Sequence, residues 1–256
     1  MPLPVLHCPV CGLVLERRFE GAVCSYCGAV DGDHRSERSA PWRCAAGHHL
    51  CEDCRTAMAE DLPRRLVSTL AQTDPFAIAD LVMSHPAMRQ ETYGPDHHGL
   101  PALALLVSLR NVGLWEGSDS RILAAVRRAR EIGEGSCYLR GTCGACVGAG
   151  SALSTILHLG IASPERGLAL RATALSLGSL ARTGGLRCCK EAVYAALEGA
   201  IEALVPVLPA IATMKRPVVC GFSSSLPDCK GMICPYHPRS ANADTKEAVH
   251  EGSTPP

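Results

Sequence analysis

The chain has 256 residues, with 25 basic and 25 acidic side chains, a formal charge of zero and only 4% aromatics. A zero balance offers no broad electrostatic surface to nucleic acid, and so few aromatics supply no stacking platform for single strands. What stands out is sulfur: the chain carries 15 cysteines.

The first residues, from Met1 to Cys8, have neither the basic start nor the apolar run of a signal peptide. No segment approaches the ~20 unbroken apolar residues of a spanning helix, so no membrane association is expected. A thiol-rich chain without an export signal is expected in the reducing cytoplasm, binding metal in preference to forming disulfides.

Residues 1–55 read as a small zinc-binding module, ribbon- or treble-clef-like. Cys8 and Cys11 form one C-x-x-C knuckle, and Cys24 and Cys27 form another. Two knuckles present four sulfurs, which is what a tetrahedral zinc site takes. A further set follows in Cys44, His48, Cys51 and Cys54, with His48 chosen over His49. The spacing allows two arrangements. Each set can close locally, or the pairs can interleave, first with third and second with fourth. Four protein ligands leave no open position, so both sites are expected to be structural. With few apolar residues in this stretch, metal binding is expected to supply most of its folding energy. The polar run from Gly28 to Ala40 reads as a solvated loop.

Beyond residue 55 the pattern turns helical. Residues 56–73 read as a polar linker helix that Pro63 divides. Asp74 and Pro75 open a helix that runs to His85-Pro86. Residues 99–113 carry helical spacing and stop at Gly113, and Ser118 caps a helix that ends at Gly133. Thr142 is expected to cap an apolar helix that begins near Cys143. Ser163-Pro164-Glu165 open another, ending at Gly184-Gly185, and residues 187–205 form the last. Only Pro217–Cys220 looks strand-like. The expected fold class is mainly α, with the zinc module followed by an all-α cysteine-rich domain over 74–238 and a disordered tail over 239–256.

The helical half holds eight of the cysteines, at 137, 143, 146, 188, 189, 220, 229 and 234. That is far more than packing requires, although a buried cysteine is individually unremarkable. Cys137, Cys143 and Cys146 surround a glycine turn at a helix start, where the macrodipole favours thiolate. Cys188 and Cys189 begin another helix, and Cys220, Cys229 and Cys234 share an irregular loop. Thiolates from turns and loops are the usual ligands of iron–sulfur clusters. Cys137, Cys143, Cys188, Cys220, Cys229 and Cys234 are therefore expected to hold such a cluster, leaving Cys189 for catalysis. Cys137 with Cys143, six apart, is preferred to the C-x-x-C pair Cys143–Cys146. His85, His97 and His98 are expected at the same pocket as acid/base groups, and His158 as a core histidine. The Gly-Ala-Cys-Val-Gly-Ala-Gly run has no preceding strand and no following Gly-Lys-Ser/Thr, which excludes a nucleotide loop.

His85-Pro-Ala-Met88, Gly94-Pro-Asp-His-His98, the Cys137–Gly148 stretch, Arg187-Cys-Cys-Lys190 and Cys220, Cys229, Cys234 together resemble an uncharacterised prokaryotic family. This cysteine-rich domain of unknown function occurs alone or attached to methyltransferase or radical-type enzymes. The resemblance spans roughly residues 42–238. It implies that Cys137 and Cys143 belong to the family pattern, and that Gly47-His48 does too, which supports His48. It implies no activity.

The leading expectation is a protein with two structural zinc ions and an iron–sulfur cluster, suited to redox, sulfur-transfer or lyase chemistry. The rival is a non-catalytic zinc adaptor that recruits a methyltransferase or redox protein partner. A third reading is a thiol–disulfide relay through Cys188 and Cys189 or through Cys143 and Cys146.

Overall fold

The computed structural model describes residues 7–8, 10–17, 22–30, 42–89 and 91–240. The expected tail lies outside the described residues from 241 onward, as does the expected loop from 31.

The N-terminal module is built from tight turns. In three of them a cysteine is followed by a glycine in the left-handed region: Gly12 after Cys11, Gly28 after Cys27, and Gly47 three residues after Cys44. The turns close alike, with Gly12 N donating to Cys8 O, Gly28 N to Cys24 O and Gly47 N to Cys44 O, at 2.8–3.0 Å. Glycine takes this left-handed backbone without the strain that an L side chain would bring. Strand β1 (Leu15–Arg17) pairs antiparallel with β2 (Trp42–Cys44), Leu15 opposite Cys44. This pairing places the first knuckle beside Cys44. Helix α1 (Glu52–Arg55) then starts at Cys51.

The rest is helical: α2 (Leu62–Leu66), α3 (Pro75–Met83), α4 (Pro86–Arg89), α5 (Leu100–Asn111), α6 (Asp119–Arg130), α7 (Ser136–Leu139), α8 (Gly144–Ile156), α9 (Arg166–Thr183) and α10 (Cys189–Leu204). The mainly α class with a small cysteine-rich N-terminal module is as the sequence indicates. The 56–73 stretch is packed, since Leu62, Leu66 and Leu70 are buried in the common core. Among the described residues no helix is long and apolar enough to cross a membrane.

The start of α3 follows its sequence signals. Asp74 accepts a hydrogen bond from Phe76 N at 2.9 Å, and Pro75 occupies the first helical position. Three expectations fail locally. Cys143, not Thr142, is the N-cap of α8. His158 is exposed beyond the end of α8, in the left-handed region, with Arg121 Nη2 donating to its Nδ1 at 2.8 Å. Pro217–Cys220 forms no strand.

Helices α5 and α10 run through the centre and are buried over most of their surface. Close packing around them depends on missing side chains. A Cβ at Gly148 of α8 would sit 2.5 Å from the backbone oxygen of His98, and one at Gly199 of α10 would strike Ser176 of α9. The helices approach so nearly because these positions are glycine. That approach brings the starts of α8 and α10 to one cavity.

Candidate functional site

The module's ligand atoms gather in two sets. Cys8, Cys11, Cys44 and His48 form one, and Cys24, Cys27, Cys51 and Cys54 the other, with the ligand atoms of each set within 4.8 Å of one another. The pairs interleave, first with third and second with fourth. Cys11 Sγ lies 3.6 Å from Cys44 Sγ, and Cys27 Sγ lies 3.5 Å from Cys51 Sγ. A zinc ion with bonds of about 2.3 Å to sulfur would set its tetrahedral thiolates about 3.8 Å apart. His48 Nδ1 lies 3.5 Å from Cys44 Sγ, whereas His49 is buried with its Nδ1 3.1 Å from Trp42 O. Burial pushes the Cys8 and Cys51 thiols up, to about 11 and about 12. Both sets can hold a metal ion.

His85 belongs to this half of the molecule. It is fully buried, its Nε2 donates to Cys54 O at 2.8 Å, and its ring meets Tyr26 edge-on at 4.7 Å. Burial lowers its pKa, which keeps the ring neutral and suits a positioning role between the module and α3. Its placement does not fit the expected catalytic pocket.

Seven of the eight thiols of the helical domain line two cavities, Cys188 lining both and Cys146 neither. Cys188, Cys220, Cys229 and Cys234 line a small enclosed one with Tyr194 and Tyr236. Cys188 is the N-cap of α10. The loop thiols are placed by backbone bonds: Cys220 N donates to Tyr236 O at 2.7 Å, Cys229 N to Leu226 O at 3.3 Å and Cys234 N to Gly231 O at 3.0 Å. Among the described residues these sulfurs do not gather as tightly as the two module sets do. Burial pushes Cys220 up to about 11, Cys234 to about 12, and Cys188 in the same direction.

The second cavity, of about 250 Å³, is lined by Cys137 on α7, Cys143 at the start of α8, and Arg187 and Cys189 at the start of α10, with His98 and Glu134. The Arg187 guanidinium stacks on Tyr93 at 4.7 Å and donates to Cys137 Sγ at 3.8 Å. Burial pushes Cys189 up to about 11. Cys137 and Cys143 thus belong to a different cavity from Cys220, Cys229 and Cys234, which corrects the expectation of one six-thiol site. Cys188, Glu191 and Lys230 line both.

Of the three histidines only His98 lines this cavity. Its Nδ1 lies 2.9 Å from Ile132 O. His97 is fully buried behind it, 3.4 Å from Lys190 Nζ. Burial, then the Lys190 charge, pushes its pKa down to about 3.

Three charged groups escaped the sequence reading. Lys190, on α10, is fully buried. Its Nζ donates to Met88 O at 2.8 Å and lies 4.9 Å from the Phe222 ring centre. Among the described residues no carboxylate pairs with it. Lys230 and Glu191 form an ion pair at 2.6 Å, each 4% exposed. Lys190 appeared in the sequence only as the end of Arg-Cys-Cys-Lys, and no local pattern tells a buried lysine from a surface one.

These features define a mainly helical, cysteine-rich protein with two interleaved four-ligand sets able to hold metal ions. The chain belongs to the family of unknown function DUF5714, which matches residues 64–237. The match begins after Cys54, so the Gly47-His48 motif and all eight module ligands lie outside it. No curated protein and no solved structure matches the chain.

Proposed function

We propose that this is an iron–sulfur protein in which Cys188, Cys220, Cys229 and Cys234 hold the cluster, two zinc ions brace the N-terminal module, and the adjoining cavity receives a small substrate. The observation that carries this reading is Lys190. A fully buried ammonium is costly unless an anion compensates it, yet its partners are a carbonyl, an imidazole and an aromatic ring. The ionisable groups within electrostatic reach that could carry a negative charge are Cys188, Cys220, Glu91 and Cys189. Of these, Cys188 and Cys220 line the enclosed cavity. As cluster ligands they would be thiolates, and a thiolate-bound cluster supplies the missing negative charge.

When bound, the cluster supplies one-electron chemistry. Lys190 would stabilise its charge, and Tyr194 and Tyr236 would help to close the cavity. The Glu191–Lys230 pair would hold the loop against α10. Arg187 would orient an anionic substrate in the larger cavity, with electrons coming from a redox protein partner.

The test is anaerobic purification with reconstitution, followed by iron and acid-labile sulfide analysis and electron paramagnetic resonance. Iron and sulfide in the intact chain, reduced in Cys220→Ser and Cys234→Ser, support the reading. Reconstituted protein free of iron overturns it. Zinc at these four thiols would favour the adaptor reading in its place.

A further inference from the structure

The cavity that holds Arg187 contains a second sulfur device with separate chemistry. Cys143 and Cys146 lie at the N-cap and third position of the 13-residue α8. A C-x-x-C pair whose first cysteine is the N-cap and whose second lies in the first turn is an arrangement in which a small local adjustment brings two thiols into disulfide range. The two differ in access. Cys143 lines the cavity and is 8% exposed, whereas Cys146 is fully buried beneath it. One sulfur can meet a substrate, and the other can meet only the first.

We propose that Cys143 and Cys146 are a redox-active dithiol that reduces a small anionic disulfide admitted to this cavity, with Cys143 attacking and Cys146 resolving. The Cys143 thiolate attacks one sulfur of R–S–S–R′, forming Cys143–S–S–R and releasing R′–S⁻. Cys146 then attacks Cys143 Sγ, expelling R–S⁻, which takes the Cys146 proton. The dithiol is oxidised to a Cys143–Cys146 disulfide, and one disulfide is reduced to two thiol products.

Several features support this direction of attack. The neighbouring Cys146 thiol holds the Cys143 thiol down at about 6. The first-turn amides and the Arg187 charge act the same way, against burial, which would raise it. Cys143, and then burial, push the Cys146 thiol strongly up, so the single proton of the pair resides on Cys146. The substrate class follows from the walls. At about 250 Å³ the cavity takes one half of a low-molecular-weight disulfide and excludes a folded protein. Arg187, stacked on Tyr93 and 5.7 Å from the Tyr138 ring, is the cationic group suited to a carboxylate. Its only ion-pair partner among the described residues is the largely exposed Glu134, at 3.7 Å. This proposal does not rest on the metal content of the neighbouring cavity.

The experiment equilibrates the zinc-loaded full-length protein with glutathione and glutathione disulfide, quenches it in acid and maps disulfides by peptide mass spectrometry. The expected product is a Cys143–Cys146 disulfide with zinc retained. Cys146→Ser should accumulate a glutathione adduct on Cys143, as should Cys146→Ala if serine perturbs the buried site, whereas Cys143→Ser should carry no adduct at Cys146. Arg187→Leu should slow exchange with glutathione disulfide several-fold more than exchange with the cationic disulfide cystamine. A folded protein with neither disulfide nor adduct at Cys143 overturns the proposal, as does a Cys137–Cys143 pairing. Iron retained in Cys143→Ser separates this result from the fate of the cluster reading.

Discussion

Lys190 Nζ and His97 Nε2 face each other at 3.4 Å in the interior of the helical domain, neither exposed to solvent. With the imidazole held neutral, it can only accept from the ammonium. Lys190 is thereby fixed as a permanent donor aimed between α4 and the thiols at the start of α10.

Replacing Lys190 with methionine should separate two roles. Without metal the variant should be close to the parent in stability, because removing the cost of a buried, unpaired ammonium offsets the loss of the donor to the Met88 carbonyl. After reconstitution it should hold less iron and show a lower reduction potential, since a positive charge beside the cluster has gone. Thermal unfolding before and after reconstitution, with redox titration, reads both. Equal potentials in the two proteins would remove Lys190 as the counterion.

The interleaved arrangement of the module makes a stoichiometric prediction. Cys11 and Cys44 share a set, as do Cys27 and Cys51. Cys11→Ser with Cys44→Ser should therefore cost one zinc, and Cys11→Ser with Cys51→Ser should cost both. Locally closed sites would make the first double variant lose both ions. Elemental analysis of the purified variants distinguishes the two.

The alkylation rate of Cys143 should follow its low pKa. A thiol pushed down to about 6 is thiolate at neutral pH. Reaction with iodoacetamide should hold a plateau above that value and fall as pH drops through about 6. An ordinary cysteine would lose reactivity at about 8.5. Peptide-resolved labelling across this range gives the midpoint.

Removing Lys230 should be costly. Glu191 also accepts from Thr183 Oγ1 at 2.9 Å, but without the ammonium its carboxylate would stay buried and uncompensated. Lys230→Met should destabilise the protein by about 3–5 kcal/mol, as expected for breaking a buried pair from one side. Replacing both, Glu191→Leu with Lys230→Met, should recover much of that. Denaturant unfolding of the single and double variants measures the coupling.

The helices were legible because their signals are local. Asp74-Pro75 opens α3, and the glycine at 113 sits just beyond α5. The module ligands were legible because C-x-x-C spacing is itself the geometry of a knuckle. Which knuckle partners which was not, since the β1–β2 register that brings Cys11 to Cys44 joins residues 33 positions apart. The helical-domain thiols were identified as a set but not sorted. Cys143 and Cys220 are both loop or cap cysteines in sequence, and only the packing of α8, α9 and α10 assigns them to different cavities. His85 misled for the same reason. Its partner, the Cys54 carbonyl, lies 31 residues upstream.

Cys188, Glu191 and Lys230 each line both cavities of the helical domain. They form a shared partition, with a thiol and a buried ion pair as its material. A charge gained on one side of such a partition is felt directly on the other, with no mobile element needed to carry the message. In the proposed reading the start of α10 would serve as a common electrode between the two cavities, since its residues face both.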